Sequence, residues 1–409
     1  MEEALTNPIS GFYMIRDVFG AAGDFITSPD VSQMFGEMIG VWAMCLWEKM
    51  EKPTKVNLVE LGPGRGTLMA NLLRGMSKFK NFTESLNIHL VECSPVLQKL
   101  QFENLKCMNK DCSCENIGKQ QAICSLAGIP VSWHAVLEQV PSGLPMILIA
   151  HEFFDALPIH QFQRTSRGWC EKLVDISLDP DEEFVKPFQL YFALFQSTIS
   201  YYRNDNGSFR FVLSPNPTVA TSCLVKRFRW AEADEIEKID HVEICPKAMY
   251  LTQEIARRLS SGGGGALILD YGLNGLVSDT LQAIKEHRFV NVLCNPGAAD
   301  ISAYVDFDSI RHSALEASDD VCCHGPITQS KFLGLLGISH RADALLQNCT
   351  DEQAEALEAS YWRLVGDGEA PFWEGPKDQA PIGMGNRYFA LAIVNKLLGI
   401  PVPFEEPSR

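Results

Sequence analysis

Hydrophobic residues recur along the chain with two different periods, and their order predicts a parallel sheet flanked by helices. Between positions 30 and 50, apolar side chains are spaced three and four residues apart, as on the buried face of a helix. Residues 56–61 form a short apolar run that enters a glycine-rich turn, and helical spacing resumes over 68–76. A second apolar run, 88–92, is again followed by a helical pattern. Two successive strand–helix units predict a parallel sheet whose strands are buried on both faces.

Three further strands are predicted, and a long insertion separates the last two. Apolar runs at 130–134, 146–150 and 266–271 are interpreted as strands three, four and five. About a hundred residues lie between the fourth and fifth, far more than an ordinary crossover needs. We therefore expect an inserted lobe there. Its strand-like segments are 158–162, 169–176 and 209–213.

Two segments lie outside this pattern. The stretch 190–202 is unusually apolar and aromatic, and the sequence leaves open whether it is a helix, an edge strand or a feature peculiar to this chain. In the C-terminal part, a helix near 332–336 and a late strand at 388–394 are expected. The predicted fold class is α/β, a Rossmann-like sheet with an inserted lobe between strands four and five and helical additions at both ends.

Charge and hydropathy narrow the classes of function. The 409 residues include 35 basic and 51 acidic side chains, and the net charge of -16 repels phosphate backbones, so nucleic acid is not expected as a partner. The negative charge favours a basic polypeptide, rather than a nucleic acid, as the partner. No run of eighteen apolar residues occurs, so no membrane span is expected. The start at Met1 has neither a secretory core nor an arginine-rich presequence, which indicates either a cytosolic protein or a targeting segment upstream of this sequence.

The thirteen cysteines are an odd number in a chain large enough to fold without disulfides, which favours reduced thiols in an intracellular compartment. The densest group lacks the paired Cys-x-x-Cys spacing of a zinc site. We interpret it as a surface loop with free thiols, and no metal site is expected. Its members are Cys107, Cys112, Cys114 and Cys124.

The strongest chemical signal follows the first strand, where the acid Glu60 precedes three glycines and then a helix. Glycine allows the backbone to approach a ligand closely, and a helix N-terminus offers free N–H groups to a carboxylate. Both suit the methionine part of S-adenosyl-L-methionine, and Glu92 after the second strand can accept hydrogen bonds from the ribose hydroxyls. A nicotinamide fingerprint would place its third glycine three residues after the second, so the alternating spacing argues against a dehydrogenase. The loop residues are Gly62, Gly64, Arg65 and Gly66.

A second cluster, residues 151–158, directly follows the fourth strand, where the carboxyl ends of strands line the ligand crevice. Glu152 and Asp155 are spaced to lie on one side of a helical turn, and carboxylates bind a guanidinium in a bidentate fork. We therefore predict them as catalytic residues that hold an arginine. Two simpler interpretations stay open: Asp155 as the N-terminal charge of a helix, and His151 as a buried ring rather than a general base.

Several segments, in order along the chain, resemble the MidA family, the mitochondrial complex I assembly factor 7 proteins. Three of them are together highly specific: residues 23–29, 59–68 and 151–158. Further matches extend the resemblance over nearly the whole chain. They include 241–246, 269–272, 305–307, 325–327 and 384–387.

This resemblance implies a class I methyltransferase that uses S-adenosyl-L-methionine. It implies a mitochondrial matrix protein that symmetrically dimethylates an arginine of the 49-kDa subunit of respiratory complex I during assembly. The localisation follows from the resemblance alone, because no import presequence is visible in this sequence. The glycine loop, Glu60 and Glu92 match its cofactor site, and Asp24, Thr27 and Ser28 match a segment expected to fold over that site. The expected partner is the 49-kDa subunit, and a homodimer is compatible with the sequence.

Together these features predict a class I methyltransferase core with three additions. The alternatives to a protein methyltransferase are a cofactor-binding assembly scaffold without transfer activity and a small-molecule methyltransferase. The predicted regions are an N-terminal helical cap over the cofactor site (1–50), the core (51–156 and 246–310), an inserted substrate-recognition lobe (157–245) and a C-terminal helical region with a returning strand (311–409).

Overall fold

A computed structural model of the chain describes residues 1–18, 20, 26–109, 121–177, 208–372 and 380–404. Three helices come first: α1 (Glu2–Thr6), α2 (Ser28–Val31) and α3 (Gln33–Lys49). The helix predicted over 30–50 is divided in two because Ser32 has an extended backbone and its hydroxyl accepts a hydrogen bond from the Met34 N–H at 3.2 Å. Serine in this conformation caps a helix, so α3 begins after it.

The next segment builds the first half of the central sheet. In chain order its elements are β1 (Val56–Leu61), α4 (Thr67–Met76), α5 (Lys80–Ser85), β2 (Leu86–Val91), α6 (Pro95–Asn104), β3 (Cys107–Asn109), β4 (Gln121–Cys124), β5 (Ile129–His134) and β6 (Met146–His151). Strands β1, β2, β5 and β6 are mutually parallel. Every residue of β1 and β6 is buried, as their mainly apolar sequences predict for a sheet covered on both faces.

The predicted inserted lobe contains a four-stranded antiparallel sheet in the order β10-β7-β8-β9. Its elements are β7 (His160–Thr165), β8 (Gly168–Ser177), β9 (Ser208–Leu213), α7 (Ala220–Phe228), α8 (Ala233–Lys238) and β10 (His241–Ile244). The strands predicted at 169–176 and 209–213 are confirmed, whereas the first begins two residues later than predicted. The apolar stretch 190–202 lies outside the described residues.

The C-terminal part completes the central sheet. Its elements are α9 (Pro246–Gly262), β11 (Gly264–Leu273), β12 (Gln282–Lys285), β13 (Arg288–Val290), β14 (Asp300–Ser302), β15 (Val305–Asp306), α10 (Phe307–Ala317), β16 (Val321–Thr328), α11 (Gln329–Leu335), α12 (Ile338–Leu346), α13 (Asp351–Val365) and β17 (Tyr388–Asn395). The central order is β16-β17-β11-β6-β1-β2-β5-β4-β3, with β17 antiparallel to both neighbours. The Rossmann-like α/β fold predicted from the sequence is confirmed.

Two strands of the central sheet, rather than one, come from the C-terminal region. Strand β16 is not predictable from the sequence pattern because Gly325 and Pro326 interrupt it, and the register against β17 shifts between His324 and Ile327. The strand nevertheless belongs to the core, since Val321 is fully buried. The division of the chain into cap, core, lobe and C-terminal region otherwise stays a prediction.

The first and last residues of the cysteine group, Cys107 and Cys124, lie on strands, so the interpretation of the group as a surface loop is wrong for these two residues. Cys107 on β3 pairs directly with Cys124 on β4, and this hairpin extends the central sheet beyond β5. Cys124 is fully buried, and its thiol donates to the Leu105 carbonyl at 3.1 Å, because the edge of the sheet packs beneath the end of α6. Cys112 and Cys114 lie outside the described residues.

Neither face of the central sheet is left open. Helices α3 and α4 pack on one face through a cluster that includes Trp42 and Leu72, and α9 and α10 pack on the other through Ile255 and Phe307. The described residues contain no helix long and apolar enough to cross a membrane and no group of three or more His, Cys, Asp or Glu arranged for a metal ion. The carboxyl ends of β1, β2, β6 and β11 meet at one edge.

Candidate active site

A cavity of about 730 Å³ opens at this edge, beside the point where the strand order reverses between β1 and β6. In open α/β sheets this switch point is where ligands bind. Most of the predicted site residues that the structure describes line the cavity. They are Thr27, Glu60, Gly62, Gly64, Arg65, Glu92, Glu152 and Asp155.

The glycine loop between β1 and α4 leaves no room for side chains at two of its positions. Gly62 has a φ of +60°, and a Cβ built on it would lie 2.6 Å from the Phe153 ring. Gly66 has a φ of +78°, with Gln101 3.3 Å from its built Cβ. Gly64 also has a positive φ, +52°. Left-handed backbone and close neighbours both favour glycine, so the loop presents bare backbone to the cavity.

Two buried carboxyl groups flank the glycine loop. Glu60 is 3% exposed, and burial followed by the nearby charge of Glu92 raises its pKa to about 8. Burial also raises the pKa of Glu92, to about 7, although hydrogen bonds from the Ser94 N–H (2.8 Å) and the Gln101 amide (3.2 Å) oppose this shift. Among the described residues, Glu60 Oε2 has no hydrogen-bond partner. A buried acceptor without a partner beside bare backbone fits a ligand that supplies a cationic or hydroxyl donor.

Gln101 connects the glycine loop to Glu92, and its role was not predicted from the sequence. Its amide nitrogen donates to the Gly64 carbonyl at 2.7 Å and to Glu92, while its amide oxygen accepts from Trp133 Nε1 at 2.9 Å. Gln101 is fully buried on α6. The available signal was a glutamine on the apolar side of a helix, which requires buried partners.

The segment after β6 is a turn, and the helical turn predicted for Glu152 and Asp155 is wrong. Glu152 has a φ of +46°, and one oxygen of Asp270, at the end of β11, accepts from the backbone N–H groups that follow. Their distances to Asp270 Oδ2 are 3.2, 3.0 and 3.3 Å for Phe153, Phe154 and Asp155. The turn forms because a buried carboxylate, rather than carbonyls of the same segment, satisfies these amides.

Asp155 lies where several acidic and phenolic side chains converge. Burial, then the charges of Asp300 and Glu152, raises its pKa to about 8, and the Tyr271 hydroxyl bonds it. Its Oδ1 is buried and has no hydrogen-bond partner in the part of the chain that the structure describes. From the N-terminal region, the Tyr13 hydroxyl donates to Asp300 Oδ1 at 2.6 Å. The cavity floor therefore carries an excess of acceptors, which suits a cationic ligand.

The N-terminal residues predicted at the site, Thr27 and Ser28, form hydrogen bonds with different partners. The Ser28 N–H donates to Glu152 Oε1 at 3.3 Å, and the Thr27 hydroxyl donates to Asp30 at 2.9 Å. Asp24 lies outside the described residues. Arg65 lines the cavity, but its guanidinium forms a bidentate pair with Asp17, which ties the glycine loop to the N-terminal segment.

His151 is buried, as the simpler of its two interpretations requires. Its Nε2 lies 3.0 Å from Glu152 Oε1, and its ring packs on Phe35 with centroids 4.8 Å apart. Gly66 and Ser28 are absent from the described residues that line the cavity. They contact it indirectly, Gly66 through Gln101 and Ser28 through Glu152.

Comparisons with known proteins agree with this geometry. Residues 38–327 match the Methyltransf_28 family of S-adenosyl-L-methionine-dependent methyltransferases. The mitochondrial protein arginine methyltransferase NDUFAF7 of Danio rerio is 39% identical over 397 residues, which are 97% of this chain and 82% of that protein. The Homo sapiens protein of the same name is 38% identical over 355 residues, 86% of this chain and 72% of that protein.

A solved structure shares the fold. A protein from Burkholderia thailandensis bound to S-adenosyl-homocysteine has a TM-score of 0.68 and 20% sequence identity, covering 99% of this chain and 89% of that chain. The family match extends over more than half of the chain and includes the glycine loop, the acid after β2 and the turn after β6. The chain therefore belongs to this family of S-adenosyl-L-methionine-dependent methyltransferases.

Proposed function

We propose that the protein is an arginine N-methyltransferase of the mitochondrial matrix, which symmetrically dimethylates an arginine of the 49-kDa subunit of respiratory complex I during assembly. The observation that carries this proposal is the pair Glu152 and Asp155, two carboxyl groups lining the cofactor cavity, one of which has a buried oxygen without a partner among the described residues. A guanidinium stays charged at physiological pH and matches paired carboxylates. The names of the mitochondrial relatives support the same substrate class.

In this proposal the cofactor site consists of the residues around the glycine loop. The left-handed backbone at Gly62, Gly64 and Gly66 allows the loop to approach the ligand closely, and the N-terminus of α4 that follows offers N–H groups to the ligand's carboxylate. Glu60 accepts from its ammonium group, and Glu92 accepts from its ribose hydroxyls. S-adenosyl-L-methionine supplies an electrophilic methyl group on a sulfonium.

The N-terminal predictions are part of the same proposal. Arg65 fixes the segment that contains Asp17, and Thr27 and Ser28 lie where the chain turns back toward Glu152. We assign Asp24, with these residues, to the cover of the cofactor site. The lobe 157–245 is assigned to recognition of the substrate beyond the residues that flank the target arginine.

The two carboxyl groups have different tasks in the proposed transfer. Glu152, held by the Ser28 N–H, orients one side of the guanidinium fork and keeps positive charge there. The attacking nitrogen must lose one proton as its bond to the methyl carbon forms. Asp155 is the suitable acceptor, because a carboxyl group whose pKa is about 8 binds a proton near physiological pH.

The experiment compares methyl transfer to the purified 49-kDa subunit by the wild-type protein, Glu152→Gln and Asp155→Asn. The exposed Glu138→Gln is the matched control. We expect both site variants to lose at least about 100-fold in rate, as removal of general-base and positioning groups commonly does, while calorimetry shows unchanged S-adenosyl-L-methionine affinity and no NAD binding. Wild-type rates in both variants would contradict the assignment. Binding of cofactor and subunit without any transfer by the wild type would identify a scaffold.

A further inference from the structure

The small three-stranded sheet forms one wall of the cavity. In its order β13-β12-β14, every second residue faces the cavity, because side chains alternate along a strand. The opposite face is buried, with Ala283 and Ile301 packed in a cluster with Leu5 and Phe12. The residues of the cavity-facing side are Gln282, Ile284, Phe289, Asp300 and Ser302. At the hairpin end, His287 and Arg288 also line the cavity.

Strand β13 is the outer strand of this wall. All three of its residues are exposed, and the Phe289 side chain is 77% exposed although it lines the cavity. A large exposed aromatic ring at the mouth of a cavity is unusual for a residue that only supports the fold.

The turn before β13 determines where its backbone groups point. Glu286 and His287 form a two-residue turn with φ values of +49° and +60°, the left-handed pair of a type I′ hairpin. In such a hairpin the flanking pair, Lys285 and Arg288, exchanges backbone hydrogen bonds. Since bonded and non-bonded pairs alternate, the next pair, Ile284 and Phe289, is non-bonded. The N–H and C=O of Phe289 therefore point away from β12, toward an edge that no strand of the described residues pairs with.

From this geometry we propose that the polypeptide substrate binds as an additional strand along β13, through the outward N–H and C=O of Phe289. This inference rests on the proposed function, because it takes the occupant to be the extended segment beside the target arginine. Strand addition to an open sheet edge is a general mode of peptide recognition, in which the backbone supplies affinity without fixing the sequence.

The charge distribution supports this occupant over a second copy of the chain. The far end of the wall carries Asp300, beside Asp155, so a chain on β13 would extend toward acidic groups that attract an arginine. Pairing of two copies along this edge would bring Lys285 and Arg288 of each copy close together, and like charges across a strand pair are unfavourable.

Strand spacing determines which part of the substrate pairs. Adjacent strands lie about 4.8 Å apart, so an added strand would lie about 14 Å from β14. This exceeds the reach of an arginine side chain toward Asp155. The paired segment therefore flanks the arginine, and its residue opposite Phe289 is apolar, because cross-strand partners on one face contact each other.

The test compares Phe289→Pro with Phe289→Val. Both remove the ring, but only proline removes the outward N–H, and proline is tolerated on an edge strand where that N–H is not part of the ladder. We expect Phe289→Pro to bind the 49-kDa subunit about five- to tenfold more weakly than Phe289→Val, the effect of losing one backbone hydrogen bond. Equal S-adenosyl-L-methionine affinity and equal melting temperatures serve as controls for folding.

A second measurement uses the wild-type protein. Adding the 49-kDa subunit should slow hydrogen exchange of the Phe289 amide. Equal subunit affinities of the two variants, or an unprotected Phe289 amide, would overturn the proposal. A change in molecular mass of Phe289→Pro in solution would also overturn it, by identifying the edge as a dimer contact. Subunit binding that follows this pattern without any methyl transfer by the wild type would instead refute the proposed function alone.

Discussion

The backbone N–H of Phe154 donates a hydrogen bond to Asp270 Oδ2 at 3.0 Å, and this contact joins the turn after β6 to the end of β11. The same oxygen accepts from the two neighbouring amides, those of Phe153 and Asp155. One buried carboxylate on an adjacent strand thus determines the path of the segment that presents Glu152 and Asp155 to the cavity. Positioning of these groups depends on a residue that need not touch the substrate.

Replacing Asp270 should therefore affect both folding and transfer. We expect Asp270→Ala to lower the free energy of unfolding by about 2–4 kcal/mol, because several buried amides lose their acceptor, and to reduce methyl transfer at least about tenfold. Asp270→Asn should be milder, since its amide oxygen still accepts. Urea denaturation and initial rates measure the two effects. Full activity of a stable Asp270→Ala protein would show that the turn does not need this carboxylate.

The contact between Gly62 and Phe153 can be separated from backbone strain. Gly62→Ala places a methyl group 2.6 Å from the Phe153 ring at a φ of +60°. Gly128→Ala is the matched control, because its φ is +70° and nothing lies within 4 Å of the built Cβ. Both changes should cost about 1 kcal/mol of stability through strain. Only Gly62→Ala should also weaken S-adenosyl-L-methionine binding, measured by calorimetry; equal affinities would contradict the placement of the loop.

Replacing Gln101 tests whether the hydrogen bonds between the glycine loop and Glu92 support cofactor binding. Gln101→Leu removes the donor to Gly64 and Glu92 and the acceptor of Trp133. We expect the dissociation constant for S-adenosyl-L-methionine to rise about tenfold, because the Gly64 carbonyl and the Glu92 carboxylate lose a buried partner. The exposed Gln121→Leu is the control for the substitution itself. Unchanged affinity in calorimetry would mean that Gln101 only supports packing.

The sequence predicted those parts of the fold in which local pattern and burial agree. Strands β1 and β6 are mainly apolar runs, and the alternating glycines favour left-handed backbone, so both features are visible without a structure. The division of the first long helix at Ser32 was missed because the apolar spacing continues across the cap.

Features that depend on distant residues could not be predicted. The turn at Glu152 depends on Asp270, which is more than a hundred residues away in the chain, and no local pattern records this contact. The contact between Tyr13 and Asp300 near Asp155 also joins residues that are far apart, 287 positions in the chain, so no local pattern predicts it. Strand β16 was not predicted because Gly325 and Pro326 interrupt its sequence and most of its residues are only half-buried.

The raised pKa of Glu60 predicts how the stability of the cofactor-free protein depends on pH. Its pKa is about 8 in the folded protein against an ordinary value of 4.5, so between these values the folded state binds a proton that the unfolded state has lost. Stability should therefore fall as pH rises from about 5 to 8, by up to about 1.4 kcal/mol per pH unit from this group. Glu60→Gln should have a shallower slope in urea denaturation. An identical slope would show that Glu60 does not titrate there.

The pH dependence of methyl transfer tests the role of Asp155, because the guanidinium of the substrate does not titrate in the accessible range. With saturating cofactor, kcat/KM for the 49-kDa subunit should rise with pH, with a midpoint near pH 8, as Asp155 ionises and can pair with the guanidinium. Asp300→Asn removes the largest neighbouring charge that raises this pKa and should move the midpoint to lower pH. Glu138→Gln should leave the profile unchanged. If Asp300→Asn leaves the midpoint of the pH profile unchanged, the titrating group is not Asp155. The Glu60→Gln variant would then show whether that group is Glu60.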